Sequence, residues 1–258
     1  MRALVFILGI LISASVEAAV RGEVFEYPHG EAILEGYLAY DDASSAKRPG
    51  ILVVHEWKGL NDYAKRRAEQ LAGLGYIAFA VDMYGKGVRP KDHEEAAAIS
   101  GIYRKDRQRM RERILAALEV LKKHPLVDST RLGAIGYCFG GTAVLELARS
   151  GADVDGVVSF HGALATPMHA QPDVVKARLL VCHGAGDPHV PPEDVKAFED
   201  EMRQAGVYYH LVTYEGAVHG FTVPEAGDDP SRGVAYNAQA DRQSWEEMKQ
   251  FFSELFAG

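Results

Sequence analysis

The residues best suited to do chemistry lie in Gly136-Tyr137-Cys138-Phe139-Gly140, where an apolar run meets a helical pattern. This is the G-x-S-x-G frame of a strand–turn–helix nucleophile elbow, with sulfur standing where oxygen is usual. A thiol alone signifies little, because free cysteines are often small buried core residues. The flanking glycines change that reading, since a nucleophile on a strained turn needs small neighbours where the next helix packs close. Asp187, in Gly184-Ala185-Gly186-Asp187-Pro188, and His219, in Ala217-Val218-His219-Gly220, follow later in the chain. An acid fixes a histidine's tautomer, and the histidine moves the nucleophile's proton. Phe139, just after the thiol, is expected to offer its backbone N–H to an oxyanion at a helix N-terminus, an end that also favours a thiolate.

These residues need a scaffold that brings distant segments to one edge. "EVFEYP" and "EAILEGYLAYD" read as two strands joined around His29-Gly30, and Gly50–Glu56 as a strand buried on both faces. "DYAKRRAEQLAGLGY" is an amphipathic helix stopped by Gly73 and Gly75, and "YIAFAVDMY" the next strand. One long helical region is expected from about Lys91 to His124, ending before Pro125. Then come the strand "RLGAIGY", the helix "GGTAVLELARS" and the strands "VDGVVSFHG" and "ARLLVCHG". A helix opening at Pro191-Pro192, the strand "YYHLVTYEG" and a closing helix "DRQSWEEMKQFFSELFA" complete the pattern. Strands alternating with helices imply an α/β fold with a mostly parallel sheet and helices on both faces. In such sheets ligands bind outside the carboxyl ends of the strands. Glu56-Trp57, Asp82-Met83-Tyr84, Cys138, Asp187 and His219 all follow strands, so they should gather on one edge. The order nucleophile, acid, histidine is that of α/β-hydrolases.

Composition bounds what else the chain can be. With 258 residues, 47% of them hydrophobic and 25% charged, one globular domain can bury a sizeable core. The net charge of -8 argues against a nucleic-acid surface. The richest basic run, Arg104–Arg111, reads as a solvated helix face. Residues 1–19 carry Arg2, a short apolar core and small residues at Ala18-Ala19, the pattern of a secretory signal peptide rather than a stable membrane anchor. Residues 20–258 then form a single domain that is exported, to a periplasm or beyond the cell. Export raises the question of a disulfide between the two cysteines. The strands leading to Cys138 and containing Cys182 should be two steps, about 9–10 Å, apart, beyond the roughly 7 Å that a disulfide spans. Cys182 reads as core filling. His183 and His189 bracket Asp187 without a second ligand cluster at zinc-like spacing, so no metal or other cofactor is expected.

The segments "VVHEWKGLND", "AVDMYGKG", "GYCFGG", "HGAGDPHVP", "VHGFTVP" and "YNAQADRQSWEEMKQFF" resemble the dienelactone hydrolases (carboxymethylenebutenolidase family), α/β-hydrolases with a Cys-His-Asp triad. The resemblance runs from about Glu31 to the C-terminus. It implies Cys138 as nucleophile, His219 as base and acid, Asp187 as its orienter and Trp57 as the second oxyanion N–H. It also implies that Glu56 contacts the resting thiol and controls its ionisation, since a nearby carboxylate disfavours a second negative charge. The family's dienelactone enzymes hold the substrate carboxylate with two arginines. The first position, after the Asp-x-Tyr segment with Tyr84, is Lys86 here, and the second, four residues past the histidine, is Val223. Lysine keeps the charge but not the bidentate fork, and Arg89 is a candidate replacement. These departures point to a small ester or lactone other than dienelactone. A peptide or amide hydrolase on the same fold, or an exported binding protein without catalysis, remain the alternatives.

Overall fold

The computed structural model describes residues 20–257, so the leader expected over residues 1–19 lies outside the described residues. One eight-stranded sheet organises the chain. Its strands are β1 (Val20–His29), β2 (Ala32–Asp41), β3 (Arg48–Val54), β4 (Ile77–Val81), β5 (Val127–Tyr137), β6 (Gly156–Phe160), β7 (Arg178–Gly184) and β8 (Tyr209–Tyr214). Their spatial order is β1-β2-β4-β3-β5-β6-β7-β8. The β1–β2 hairpin and the β2–β4 pair are antiparallel, and every pairing from β4 to β8 is parallel.

Helices α1 (Asp62–Gly73) and α6 (Ala238–Phe256) cover one face; α2 (His93–Lys105), α3 (Arg107–Lys123), α4 (Phe139–Arg149) and α5 (Pro192–Gln204) cover the other. The strand period of two sorts side chains between these layers. In β3, Leu52 and Val54 pack with α3 and α4 while Ile51 and Val53 pack with α1, and all four are fully buried. Burying each such side chain contributes about 1.5–3 kcal/mol relative to leaving it in water. Among the described residues no helix is long and apolar enough to cross a membrane.

Two expectations are corrected. The helical region from Lys91 to His124 is two helices broken at Asp106, whose φ of -116° and ψ of 87° leave the helical region. Asp106 closes α2 with its N–H on Ile102 O at 3.1 Å and opens α3 by accepting the Arg109 N–H at 2.9 Å. The basic run through this break is not uniformly a solvated face either. Arg111 is buried on Glu146 at 2.7 Å, and Arg107 turns toward a cavity described below. The cysteines behave as the strand spacing requires: β6 lies between β5 and β7, and Cys138 and Cys182 are both free.

Candidate active site

Cys138 sits between β5 and α4 with φ of 53° and ψ of -112°, a backbone conformation that costs energy for any residue with a Cβ. Only glycine fits beside it. A Cβ on Gly136 would stand 2.1 Å from Gly140 O, and one on Gly140 would stand 2.2 Å from Val54 O. Cys138 opens α4 without a side-chain cap bond, which leaves Sγ free to face across the sheet edge. There His219 Nε2 lies 3.0 Å from Sγ, and His219 Nδ1 lies 2.8 Å from Asp187 Oδ2. The other carboxylate oxygen of Asp187 accepts the His189 N–H at 2.8 Å, so both oxygens are engaged. Burial opposes a charged imidazole at His219, but the Cys138 sulfur in its thiolate form and the Asp187 carboxylate outweigh it and raise the pKa to about 10.

Glu56 and Trp57 follow β3, as expected, and line the same cavity as Cys138 and His219. The turn that carries them is held from below by His55, which is fully buried. Its Nδ1–H donates to Glu56 O at 2.5 Å, and its Nε2 accepts the Met83 N–H at 3.2 Å. Burial lowers the His55 pKa to about 4, which keeps this arrangement neutral. Burial also raises the Glu56 carboxyl to about 7, against the lowering influence of His219 and Lys58. Glu56 forms no hydrogen bond with the thiol among the described residues; Sγ lies 3.0 Å from His219 Nε2. Phe139 and Trp57 both present backbone N–H groups that donate to no other backbone group among the described residues.

The three residues expected to hold substrate do otherwise. Lys86 leaves the site and pairs with Glu26 at 2.6 Å on the surface, the two side chains each half exposed. Arg89 faces Glu35 at 3.6 Å and donates to Val88 O at 2.9 Å. Tyr84 is buried, and its hydroxyl donates to Trp57 O at 2.8 Å, so it orients the Trp57 turn rather than a ligand. The turn between Tyr84 and Arg89 causes this: Gly85 and Gly87, with φ of 131° and 75°, carry the chain away from the cavity.

The cavity itself measures about 1040 Å³, just above the roughly 300–1,000 Å³ usual for ligand sites. Its cations include residues with no site role expected from the sequence, among them Arg104 and Arg107 of the run read as a solvated face. Arg66 is paired with Glu225 at 2.6 Å across the mouth. Arg104 and Arg107, at the α2–α3 corner, form no salt bridge among the described residues. Arg107 keeps a buried Nε with no partner, and the neighbouring Glu146 is already taken by Arg111 and Arg149. Burial first, then the charges of Arg149, Arg104 and Arg111, lower the Arg107 pKa despite Glu146.

Sequence reasoning also missed His161, at the carboxyl end of β6 beneath Cys138, although the same strand-end argument that found Cys138 applies to it. His189, noted only as a neighbour of Asp187, lies edge-on to His219 with ring centroids 4.9 Å apart. Among the described residues no group of three or more His, Cys, Asp or Glu side chains converges as a metal-ligand set.

Known proteins resemble this chain in sequence and fold. The family model described as the dienelactone hydrolase family matches residues 34–256. A putative carboxymethylenebutenolidase of Synechocystis sp. is 29% identical over 241 residues, 87% of this chain and 93% of its own. An uncharacterized protein of Caenorhabditis elegans is 38% identical over 152 residues, covering 58% of this chain and 96% of its own. A solved dienelactone hydrolase-like promiscuous phosphotriesterase from metagenomic libraries superposes with a TM-score of 0.87 at 41% identity, covering 92% of this chain and 99% of that one. With the match running from the second strand to the last helix, the chain belongs to the dienelactone hydrolase family and is a hydrolase of the lactone/ester type.

Proposed function

We propose that the protein hydrolyses an ester or lactone through a thioester on Cys138, and that the substrate carries an anionic group. The observation that carries the chemistry is the run Cys138 Sγ–His219 Nε2–Asp187 Oδ2, with steps of 3.0 and 2.8 Å, opening into a cavity. The Cys138 thiolate adds to the carbonyl carbon, and the carbonyl oxygen takes the negative charge toward the Phe139 and Trp57 N–H groups. On collapse, the leaving oxygen takes the proton from His219 Nε2 and the C–O bond breaks. Esterified sulfur is neutral, so the largest influence raising His219 disappears and the imidazole becomes a base. Water then gives its proton to Nε2, its oxygen adds to the thioester carbon, and the thiolate departs to re-form the ion pair.

The substrate class follows from charge. In a protein of net charge -8, Arg104 and Arg107 line the cavity without a carboxylate partner among the described residues, Arg104 exposed to solvent and Arg107 half-buried with Nη2 3.4 Å from Ala165 O and Nε without a partner. A buried donor of that kind is costly until a ligand meets it. A carboxylate on the substrate meets that need and is matched by the guanidinium fork. A phosphotriester is a second electrophile worth testing, because the metagenomic relative that bears that activity in its name is 41% identical.

Cys138→Ala should lose on the order of a million-fold in p-nitrophenyl ester turnover. Acid quench of the wild type during turnover should leave the acyl mass on the peptide containing Cys138. Turnover in Cys138→Ala within tenfold of wild type, or an unmodified Cys138 peptide during steady turnover of a slow ester, would move the chemistry to another residue.

A further inference from the structure

Beneath the sulfur lies an imidazole for which the hydrolytic cycle has no use. His161 is 1% exposed and has a φ of 40°, on the positive side, where residues other than Gly are uncommon and Asn, Asp and His the most frequent of them. Its own N–H donates to Cys182 O at 2.9 Å. Its Nδ1 lies 3.1 Å from the backbone nitrogen of Cys138, whose N–H it shares with Phe160 O at 3.0 Å. A backbone nitrogen only donates, so Nδ1 accepts and the ring proton sits on Nε2.

The rest of the chain of bonds then has one direction. Nε2–H meets Thr222 Oγ1 at 2.8 Å. The Thr222 hydroxyl turns its proton to the Tyr63 oxygen at 2.7 Å, and Tyr63 donates to Thr222 O at 3.2 Å. Arg67 donates from Nε to the Tyr63 oxygen at 3.2 Å, and from Nη2 to Thr222 O at 3.1 Å and Asp241 Oδ1 at 2.5 Å. Thr222 lies three residues past His219, and the His161 ring stands edge-on to the His219 ring with centroids 5.3 Å apart. One imidazole therefore grips the nucleophile's backbone with one nitrogen and the histidine loop with the other. Burial, reinforced by the charges of His219 and Arg67, holds its pKa well below the usual histidine range, so the accepting nitrogen stays free.

We infer that His161, as the Nε2–H tautomer, is a positioning residue that sets the separation of Cys138 Sγ and His219 Nε2, with the Thr222–Tyr63–Arg67–Asp241 chain tying that setting to α1 and α6. This rests on the Cys138–His219 reading, and it assigns His161 no contact with substrate. Only the relative placement of two groups held by their backbones depends on it. A displacement of about 1 Å in such a pair can cost on the order of a hundredfold in rate.

The test compares three substitutions. His161→Asn keeps an acceptor near the Nδ1 position and tolerates the positive φ. His161→Gln keeps a donor toward Thr222 but not the acceptor, and His161→Phe keeps a ring of similar size and neither bond. With p-nitrophenyl acetate, His161→Phe should lose about a hundredfold in kcat with KM within a few-fold. His161→Asn should recover at least tenfold of that loss and His161→Gln less. Iodoacetamide alkylation of Cys138, followed against pH, should slow at neutral pH in the Phe variant and regain its wild-type profile in the Asn variant. A folded His161→Phe with wild-type kcat and alkylation profile overturns the inference. So does a loss of kcat that tracks a lower Tm while the alkylation profile stays in place. If the Phe variant does not fold, Thr222→Val carries the test, since it leaves the imidazole and cuts its far bond. About a tenfold loss of kcat supports the inference, and wild-type behaviour overturns it. Alkylation reads Cys138 without turnover, so this result stays separate from whether ester is the right substrate.

Discussion

Beneath Cys138, the side chains of His161, Thr222, Tyr63 and Arg67 hand hydrogen bonds to one another in an unbroken series. At the α2–α3 corner of the same cavity, Arg107 keeps a buried Nε without a partner and Arg104 meets no carboxylate among the described residues. The floor is bonded internally, and in the proposed function the wall is completed by substrate. Groups that act on a developing charge need to be preorganised, because reorganisation during reaction costs rate. Groups that recognise a ligand do the opposite: a donor left without an internal partner is satisfied by the ligand alone.

If the floor supplies the catalysis, the largest effects of substitution belong there. Asp187→Asn leaves the shape of the turn but puts an amide against His219 Nδ1, and it removes one of the two charges that raise this imidazole. We expect kcat to fall by roughly ten-thousandfold, as for a triad histidine left in the wrong tautomer. Steady-state kinetics with p-nitrophenyl acetate measure it, and a loss under tenfold would mean that Asp187 is only a turn residue.

The wall should show a smaller and selective effect. Replacing Arg104 and Arg107 together by Gln should lower kcat/KM for p-nitrophenyl hemisuccinate by about 10–100-fold, the worth of one or two charge-assisted hydrogen bonds. The neutral p-nitrophenyl butyrate should lose much less. Equal losses on the two esters would remove the distinction between floor and wall.

What the sequence disclosed divides along the same line. The bonded run Cys138–His219–Asp187 was legible because each member follows a strand and because Gly136 and Gly140 mark a turn where backbone passes within a Cβ's reach. The sheet was legible because its strands are short apolar runs separated by helices. The wall was not. Its arginines lie in a basic helical run that reads as solvent-facing, and only the break at Asp106 turns Arg107 inward. Lys86 and Arg89 misled for a related reason, since local turn geometry at Gly85 and Gly87 decides where a chain points after a strand. His161 lay at a strand end in plain view, but a lone histidine announces nothing until its two nitrogens have named partners.

Glu56 stands between floor and wall, and pH exposes its state. Its carboxyl is raised from 4.5 to about 7, chiefly by burial. Below pH 4.5 it is protonated both folded and unfolded and has no effect on stability. As pH rises from 4.5 through 7, the unfolded chain ionises first, so the folded state loses ground, and the loss levels off above 7. Glu56→Gln is neutral throughout. Its Tm relative to wild type should therefore climb between pH 4.5 and 7 and stay level above that. A constant difference in Tm across this range would show that Glu56 ionises as easily folded as unfolded.

The smallest effect expected is at Asp106, which touches neither sulfur nor cavity yet sets the corner that carries both wall arginines. Its carboxylate accepts the Arg109 N–H at 2.9 Å while its backbone closes α2. Asp106→Ala removes one cap bond, worth about 1 kcal/mol, which is a few degrees of Tm in a chain of this size. If the ester hydrolysis step depends on the floor, as proposed, kcat for the neutral ester should stay at the wild-type value. The wall is looser without the cap, so KM for p-nitrophenyl hemisuccinate should rise two- to fivefold, well under the loss from removing the arginines themselves. A change in kcat on the neutral ester would mean that the corner reaches the triad, and floor and wall would have to be treated as one device. An unchanged KM for the anionic ester, with the expected drop in Tm, would mean that Arg104 and Arg107 keep their places without the cap.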